Sequence, residues 1–202
     1  MPIKNIIFDV GNVLVRWDPA SAIAKVFPEH EVLLIMKNIF HAEPWRALNR
    51  GDITEEELID VCHKNFNMSR EQAEKLMQAI RESLIPVPGG QELLHDLHAA
   101  GYNLYSLTDN THNILAYLKQ RYDFWPKFKG IVSSADVRHL KPSPQMYETL
   151  INTYKIIPDE SVFLDDLEHN ITGAKQHGIH GIQFFTAEQA SQELRKSFLI
   201  TY

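Results

Sequence analysis

Ile6-Ile7-Phe8-Asp9-Val10-Gly11-Asn12-Val13-Leu14-Val15 opens the chain and sets its architecture. The apolar run starts near Ile3 and is broken only by Lys4 and Asn5. Unbroken apolar character reads as a strand buried on both faces, the kind found in a parallel sheet. Asp9 then falls at the strand's carboxyl end, the edge of an open α/β sheet where ligands bind. Gly11, two residues on, lets the backbone turn sharply or approach a ligand closely. Taken alone, the stretch is better read as a buried strand ending in an Asx-type turn. Three further segments, each placing polar groups at another strand end, tip the reading towards a site.

After the first strand, Asp18-Pro19 forms an N-cap and first-turn pair. From there to about Pro86 the pattern is helical throughout. Val32, Leu33, Met36, Ile39 and Phe40 give one apolar face. Thr54-Glu55-Glu56-Glu57 and Ser69-Arg70-Glu71-Gln72 are capping boxes, each followed by apolar residues at helical spacing. No strand interrupts these helices, so residues 18–86 read as a small helical insert. Pro86-Val87-Pro88-Gly89-Gly90 punctuates the return to the main domain, made of 1–17 and 87–202.

Strand and helix then alternate. Tyr102 to Leu107 reads as a strand ending at Thr108-Asp109-Asn110, and Ile131-Val132 as a short one ending near Ser133-Ser134. Lys141-Pro142-Ser143-Pro144 precedes a helix. Ser161 to Leu164 leads to Asp165-Asp166, and Gly181 to Phe185 is the last strand. This alternation predicts a three-layer α/β domain of Rossmann-like type with a mainly parallel sheet.

Composition narrows the function. The 202 residues carry 44% hydrophobic residues and a net charge of −6, with basic residues scattered. A globular core is affordable at that length, and neither nucleic acid nor an anionic membrane is expected as a partner. The single cysteine, Cys62, excludes an internal disulfide and fits a reducing, cytoplasmic setting. No signal peptide or bilayer-spanning run is expected.

The strand ends offer Asp9, then Thr108, then Lys141, then Asp165-Asp166. Parallel-sheet geometry lets these converge on one crevice. Carboxylates gathered there repel unless a cation sits among them, and an oxygen-only cluster suits Mg²⁺. Thr108 offers a hydroxyl, and the backbone N–H groups after it open a helix that favours anions. Lys141 supplies a positive charge, leaving Asp9 free to attack phosphorus as a nucleophile.

Together these segments resemble the haloacid dehalogenase superfamily: Phe8-Asp9-Val10-Gly11-Asn12-Val13-Leu14, Leu107-Thr108-Asp109-Asn110, Leu140-Lys141-Pro142 and Phe163-Leu164-Asp165-Asp166-Leu167-Glu168-His169-Asn170. Within it, the Asp-x-Gly-Asn-Val opening, Arg16-Trp17-Asp18-Pro19 and Arg50-Gly51-Asp52-Ile53-Thr54 resemble the branch that contains bacterial alpha-glucose-1-phosphate phosphatase. The resemblance makes the helical insert a first-type cap. It implies Asp9 as catalytic nucleophile and metal ligand, with the Gly11 backbone carbonyl and Asp166 as further ligands of Mg²⁺. Asp165 would be another ligand or would orient the others, and Asn170 would support by hydrogen bonding. Thr108 and the Asp109 amide would hold phosphate, and Lys141 would complete the clamp. The implied partner is a small phosphorylated metabolite, and the chain a monomer or homodimer.

Two positions depart from the family pattern. Gly11 stands where a second Asp commonly serves as general acid and base, and losing such help costs ~10²–10⁴ in rate. That favours a leaving group needing little protonation, such as an anomeric sugar oxygen or an acyl phosphate; Asp18 or His41 are candidate substitutes. Asp109 stands where Asn is more usual, and is tolerable beside phosphate if only its N–H is used. Trp45, Arg46 and Arg50 are candidates for the mouth, although cap core and a solvated face explain them as well. The rivals are a 2-haloacid dehalogenase, for which Asp165-Asp166 would be uncompensated charge, and a non-catalytic phosphate-binding protein.

Overall fold

The fold was taken from a computed structural model, which describes residues 2–202. β1 (Asn5–Phe8) is followed by five helices: α1 (Pro19–Ile23), α2 (Glu29–Ile35), α3 (Glu43–Asn49), α4 (Glu55–Asn65) and α5 (Arg70–Ser83). Helices and strands then alternate through α6 (Gly90–Ala99), β2 (Asn103–Thr108), α7 (His112–Arg121), β3 (Phe128–Ser133) and α8 (Ser134–Val137). The chain continues through α9 (Pro144–Tyr154), β4 (Ser161–Asp165), α10 (Glu168–Gln176), β5 (His180–Gln183) and α11 (Ala187–Phe198). The strands make one sheet in the order β3-β2-β1-β4-β5, with every neighbouring pair parallel. This is the Rossmann-like α/β architecture.

Alternate residues of each strand point to opposite faces, and the two faces carry separate clusters. Ile6, Phe8, Leu104, Val162 and Leu164 pack against α6, α7 and α11, in a cluster that runs on into α1–α5. Ile7, Tyr105, Leu107 and Phe163 pack against α9 and α10. Burial on both faces explains why β1 reads as an uninterrupted apolar run: all four of its residues are buried.

The edges of the sheet are where sequence and structure part. The expected third strand, Ile131-Val132, is longer, Phe128–Ser133, with Lys129 exposed and Gly130 packed under the Tyr154 ring. An edge strand open to solvent on one side mixes charged and apolar residues, which hides its start. The last strand begins and ends earlier than its apolar residues suggest, at His180–Gln183, for the same reason.

Thr54 and Ser69 cap α4 and α5 through complete capping boxes, each hydroxyl accepting from the third backbone N–H of its helix. Arg81 joins these two helices through Glu55 at 2.8 Å. The segments entering and leaving the five-helix stretch run side by side: Arg16 N–H donates to Ile85 O at 2.8 Å and Val87 N–H to Leu14 O at 3.1 Å. Among the described residues, no helix is long and apolar enough to cross a membrane.

Candidate active site

Register brings the polar groups together. Phe8 pairs with Ser106 on one side and Leu164 on the other, so the next residues, Asp9, Leu107 and Asp165, lie at one level across three neighbouring strands. Lys141, from the loop before α9, drives its ammonium into that level. Its Nζ lies 2.6 Å from Asp165 Oδ2, 2.9 Å from Asp9 Oδ1 and 3.2 Å from the Leu107 carbonyl oxygen. Three oxygens thus surround a group with three protons to give. The lysine side chain is 1% exposed, so this is a buried ion cluster.

Asp165 is saturated. Besides Lys141, it accepts from Leu167 N–H at 2.9 Å and from Asn170 Nδ2 at 3.0 and 3.1 Å. Asp166, next in the chain, instead lines the open pocket with Asp9. Oxygens of Asp9, Asp165 and Asp166 lie within 4.8 Å of one another, a grouping able to hold a metal ion. One ammonium does not neutralise this much acid. Burial pushes the Asp9 carboxyl up to about 8 against the pull of Lys141, and Asp165 adds to the rise. Burial also raises Asp166 and Asp109. Burial works to lower Lys141, but the carboxylates of Asp165, Asp9 and Asp109 outweigh it and hold the ammonium above the usual lysine range. A hard divalent cation would relieve this excess.

Thr108 ends β2 with its hydroxyl buried and without a hydrogen-bond partner, as is that of Ser106 two residues before it, and Thr108 itself does not line the pocket. Asp109 follows in the pocket wall; its Oδ1 accepts the Lys141 backbone N–H at 3.0 Å. An Asn there would present the same acceptor, so the carboxylate fits by turning towards the lysine loop. Asn110 N–H donates to Ser134 Oγ at 2.9 Å, and that hydroxyl donates onward to the Asn49 carbonyl at 2.6 Å. One side chain thereby joins the loop after β2 to the end of α3.

Asn12 is the site residue whose role the sequence left unassigned. Its backbone lies in the left-handed region at φ 54°, which Asn tolerates. Its Nδ2 donates to Asp166 at 3.0 Å and its Oδ1 accepts the Trp17 N–H at 2.9 Å. Gly11 beside it has an ordinary backbone, and a Cβ there would meet nothing nearer than Trp17 Cβ at 3.8 Å. Space at the Cβ therefore does not by itself require glycine at position 11.

The pocket holds about 250 Å³ and is walled on the insert side by Trp17, Trp45, Asn49 and Leu84. Trp17 and Trp45 stack with ring centroids 5.4 Å apart, and Phe40 backs Trp45 at 4.6 Å. Of the other candidates for the mouth, Arg46 and Arg50 open onto a separate depression with His139 and Ser143. Asp18 lies outside the pocket, where it accepts the Ser21 N–H at 3.1 Å as N-cap of α1 and pairs with Arg16 at 2.6 Å. The Ser21 hydrogen bonds hold its carboxyl below the usual range, so near neutral pH it is ionised and has no proton to donate. His41 is exposed and also outside the pocket. His177 stacks on Tyr147, and neither it nor His169 belongs to the acidic cluster.

Known proteins share this arrangement of chain. The sesquiterpene phosphatase astK of Aspergillus oryzae is 24% identical over 193 residues, covering 96% of this chain and 95% of its own length. The drimenol cyclase drtB of Aspergillus calidoustus is 25% identical over 200 residues, covering 97% of this chain; the chain spans 37% of that longer protein. Among solved structures, the HAD-family enzyme bt-2542 of Bacteroides thetaiotaomicron, solved also with magnesium and inorganic phosphate, superposes with a TM-score of 0.78. It is 22% identical, over 97% of this chain and 100% of that one. A family model described as haloacid dehalogenase-like hydrolase matches residues 6–184, from β1 to just past β5, and the chain belongs to that family of hydrolases.

Proposed function

We propose that the protein is a Mg²⁺-dependent phosphatase that cleaves a small phosphomonoester through an aspartyl-phosphate on Asp9. The preferred leaving group is one of low basicity, such as the anomeric oxygen of a hexose 1-phosphate. The observation that carries this reading is a pocket lined by Asp9, tethered by Lys141, together with Asp166 and Asp109. The phosphatase named among the relatives, astK, supports the reaction class.

In this reading Asp9, Asp166 and the Gly11 carbonyl hold Mg²⁺. When bound, the ion neutralises carboxylate and phosphoryl charge. Asp165 takes no part as ligand: it fixes Lys141 and is fixed by Asn170. Asp9 attacks phosphorus through a carboxylate oxygen, the bond from phosphorus to the ester oxygen breaks, and that oxygen leaves with the bonding pair. The Thr108 hydroxyl and the Asp109 N–H hold the phosphoryl oxygens, while the Lys141 ammonium, bonded to Asp9 and Asp165, completes the clamp by its charge beside them. With glycine at 11, the departing oxygen takes its proton from water, which restricts fast turnover to weakly basic leaving groups. Water then attacks the acyl phosphate at phosphorus, releasing inorganic phosphate and restoring the carboxylate. Residues 18–86 act as a cap over the core formed by 1–17 and 87–202. Their joint at Arg16–Ile85 and Leu14–Val87 is the place where they would flex.

The test is phosphate release from a panel of phosphoesters, with Mg²⁺ or chelator, for wild type and Asp9→Asn. The expected result is metal-dependent release, abolished by Asp9→Asn, with 1-phosphates ahead of 6-phosphates. Faster turnover of 6-phosphates would sink the leaving-group argument alone. Silence across the panel would overturn the phosphatase reading; halide release from 2-chloropropionate would then point to a dehalogenase, and retained Mg²⁺ binding without turnover to a binding protein.

A further inference from the structure

The pocket lining is apolar over much of its surface. Val15, Trp17, Trp45, Leu84, Ile114 and Leu167 supply apolar surface, and Lys141 is the one cation among the lining residues. That cation already faces Asp9 and Asp165. Of the basic residues closest in sequence to this wall, Arg46, next to Trp45, makes no ion pair among the described residues and lines the separate depression with His139 and Ser143, and three others are committed elsewhere. Arg16 pairs with Asp18 at 2.6 Å, Arg50 with Asp52 at 2.6 Å and also with Glu43, and Arg81 with Glu55 at 2.8 Å. A second anionic group on a substrate would therefore enter a low-dielectric wall with no counter-charge, next to Asp9, Asp109 and Asp166.

The wall is also preformed. Trp17 and Trp45 are inclined by 23°, close to parallel, and Trp45 is 6% exposed with Phe40 behind it. Trp17 is anchored through its backbone N–H to Asn12, the residue that also holds Asp166. Four residues on from Trp45, one turn along α3, Asn49 lines the same pocket with its side-chain amide unpartnered among the described residues. About 250 Å³ leaves room for a phosphoryl group and one ring.

Resting on the phosphatase reading, we propose that this pocket selects phosphomonoesters whose leaving group is uncharged and presents one flat apolar face to Trp17, which Trp45 backs, with Asn49 bonding its edge, and that it rejects anionic leaving groups. An aromatic ring and the C–H face of a sugar ring share that chemistry.

The experiment compares phenyl phosphate with 4-carboxyphenyl phosphate, which have the same ring and the same leaving oxygen, alongside glucose 1-phosphate and acetyl phosphate, all with Mg²⁺ and the full chain. Acetyl phosphate has no ring and reports the chemistry alone. The expected result is a KM for 4-carboxyphenyl phosphate about tenfold or more above that for phenyl phosphate. Equal KM values, or acetyl phosphate turnover with no ring ester accepted, overturns the inference and leaves the phosphatase reading standing. No release from any of the four overturns both. Phenyl phosphate against glucose 1-phosphate separates aromatic from sugar substrates. Asn49→Lys, at a half-buried position, is expected to narrow the gap between the two aryl esters about tenfold; a wall with no part in selection would leave their ratio unchanged. Trp45→Ala is expected to raise KM for ring esters only, and Trp45→Phe, which keeps the packing, to restore most of it.

Discussion

At Asn12 the backbone turns through φ 54° while the side chain bridges the Trp17 N–H and the Asp166 carboxylate. Asn12→Gly separates these roles, since glycine accepts the conformation and loses both bonds. Partners that orient a metal ligand are typically worth ~10–100-fold in affinity, so calorimetric titration with Mg²⁺ is expected to show a loss of that size. Unchanged affinity would mean that Asp166 is held by something else. Lys141 carries a different prediction. Lys141→Met leaves Asp9 and Asp165 buried without their counter-charge, at a cost of ~3–5 kcal/mol in chelator, read as a drop in the denaturant midpoint. Mg²⁺ is expected to return part of it. The grouping of Asp9 with the Asp165-Asp166 pair was legible in the sequence because carboxylates closing a buried apolar run have few structural reasons to be there. Asn12 was not, because Asn after Gly also suits any turn, and its bond to Asp166 spans 154 residues.

The elements were legible in proportion to their burial. β1, buried on both faces, announces itself, whereas β3 and β5 at the sheet edges mix polar and apolar residues and blur at their ends. The helices of the insert were legible through their capping boxes, but where they dock was not. The turn after α3 settles that docking. Gly51 sits at φ +66°, and a Cβ there would come within 2.6 Å of the Ala135 carbonyl oxygen in α8, while Asp52 reaches Arg138 at 2.7 Å. The opposing atom is backbone and does not yield easily. Gly51→Ala is expected to destabilise the fold by at least ~1 kcal/mol, visible as a lower thermal midpoint. A neutral result would show that α3 can lift from α8 without penalty.

For the molecule as a whole, the pH response follows from the buried acid. Asp9 is raised from 3.8 to about 8 by burial, so between those values the folded metal-free chain holds a proton that the unfolded chain gives up. Stability from this group therefore falls as pH rises through that window. Lys141, raised above 10.5, is protonated in both states there and contributes no slope. Mg²⁺ displaces the proton, so its stabilising effect grows as pH climbs towards 8 and levels off above it. At a hundredfold excess over its dissociation constant the ion adds about 2.7 kcal/mol. Thermal melts at pH 6, 7 and 8.5, with and without Mg²⁺, are expected to diverge with pH; a constant gap would mean that the metal binds without displacing a proton.

Strand order was beyond what the sequence reveals, since each strand's neighbours are chosen by helix packing across the sheet; the shared level of Leu107, Asp9 and Asp165 was hidden with it. The same holds for Ser134, a buried serine like many others until its two partners are seen. A hydroxyl has a single proton, and here it goes to the Asn49 carbonyl, while the oxygen receives the Asn110 N–H. The end of α3, which lines the pocket through Asn49, and the loop after β2 are thus held by one and the same hydroxyl.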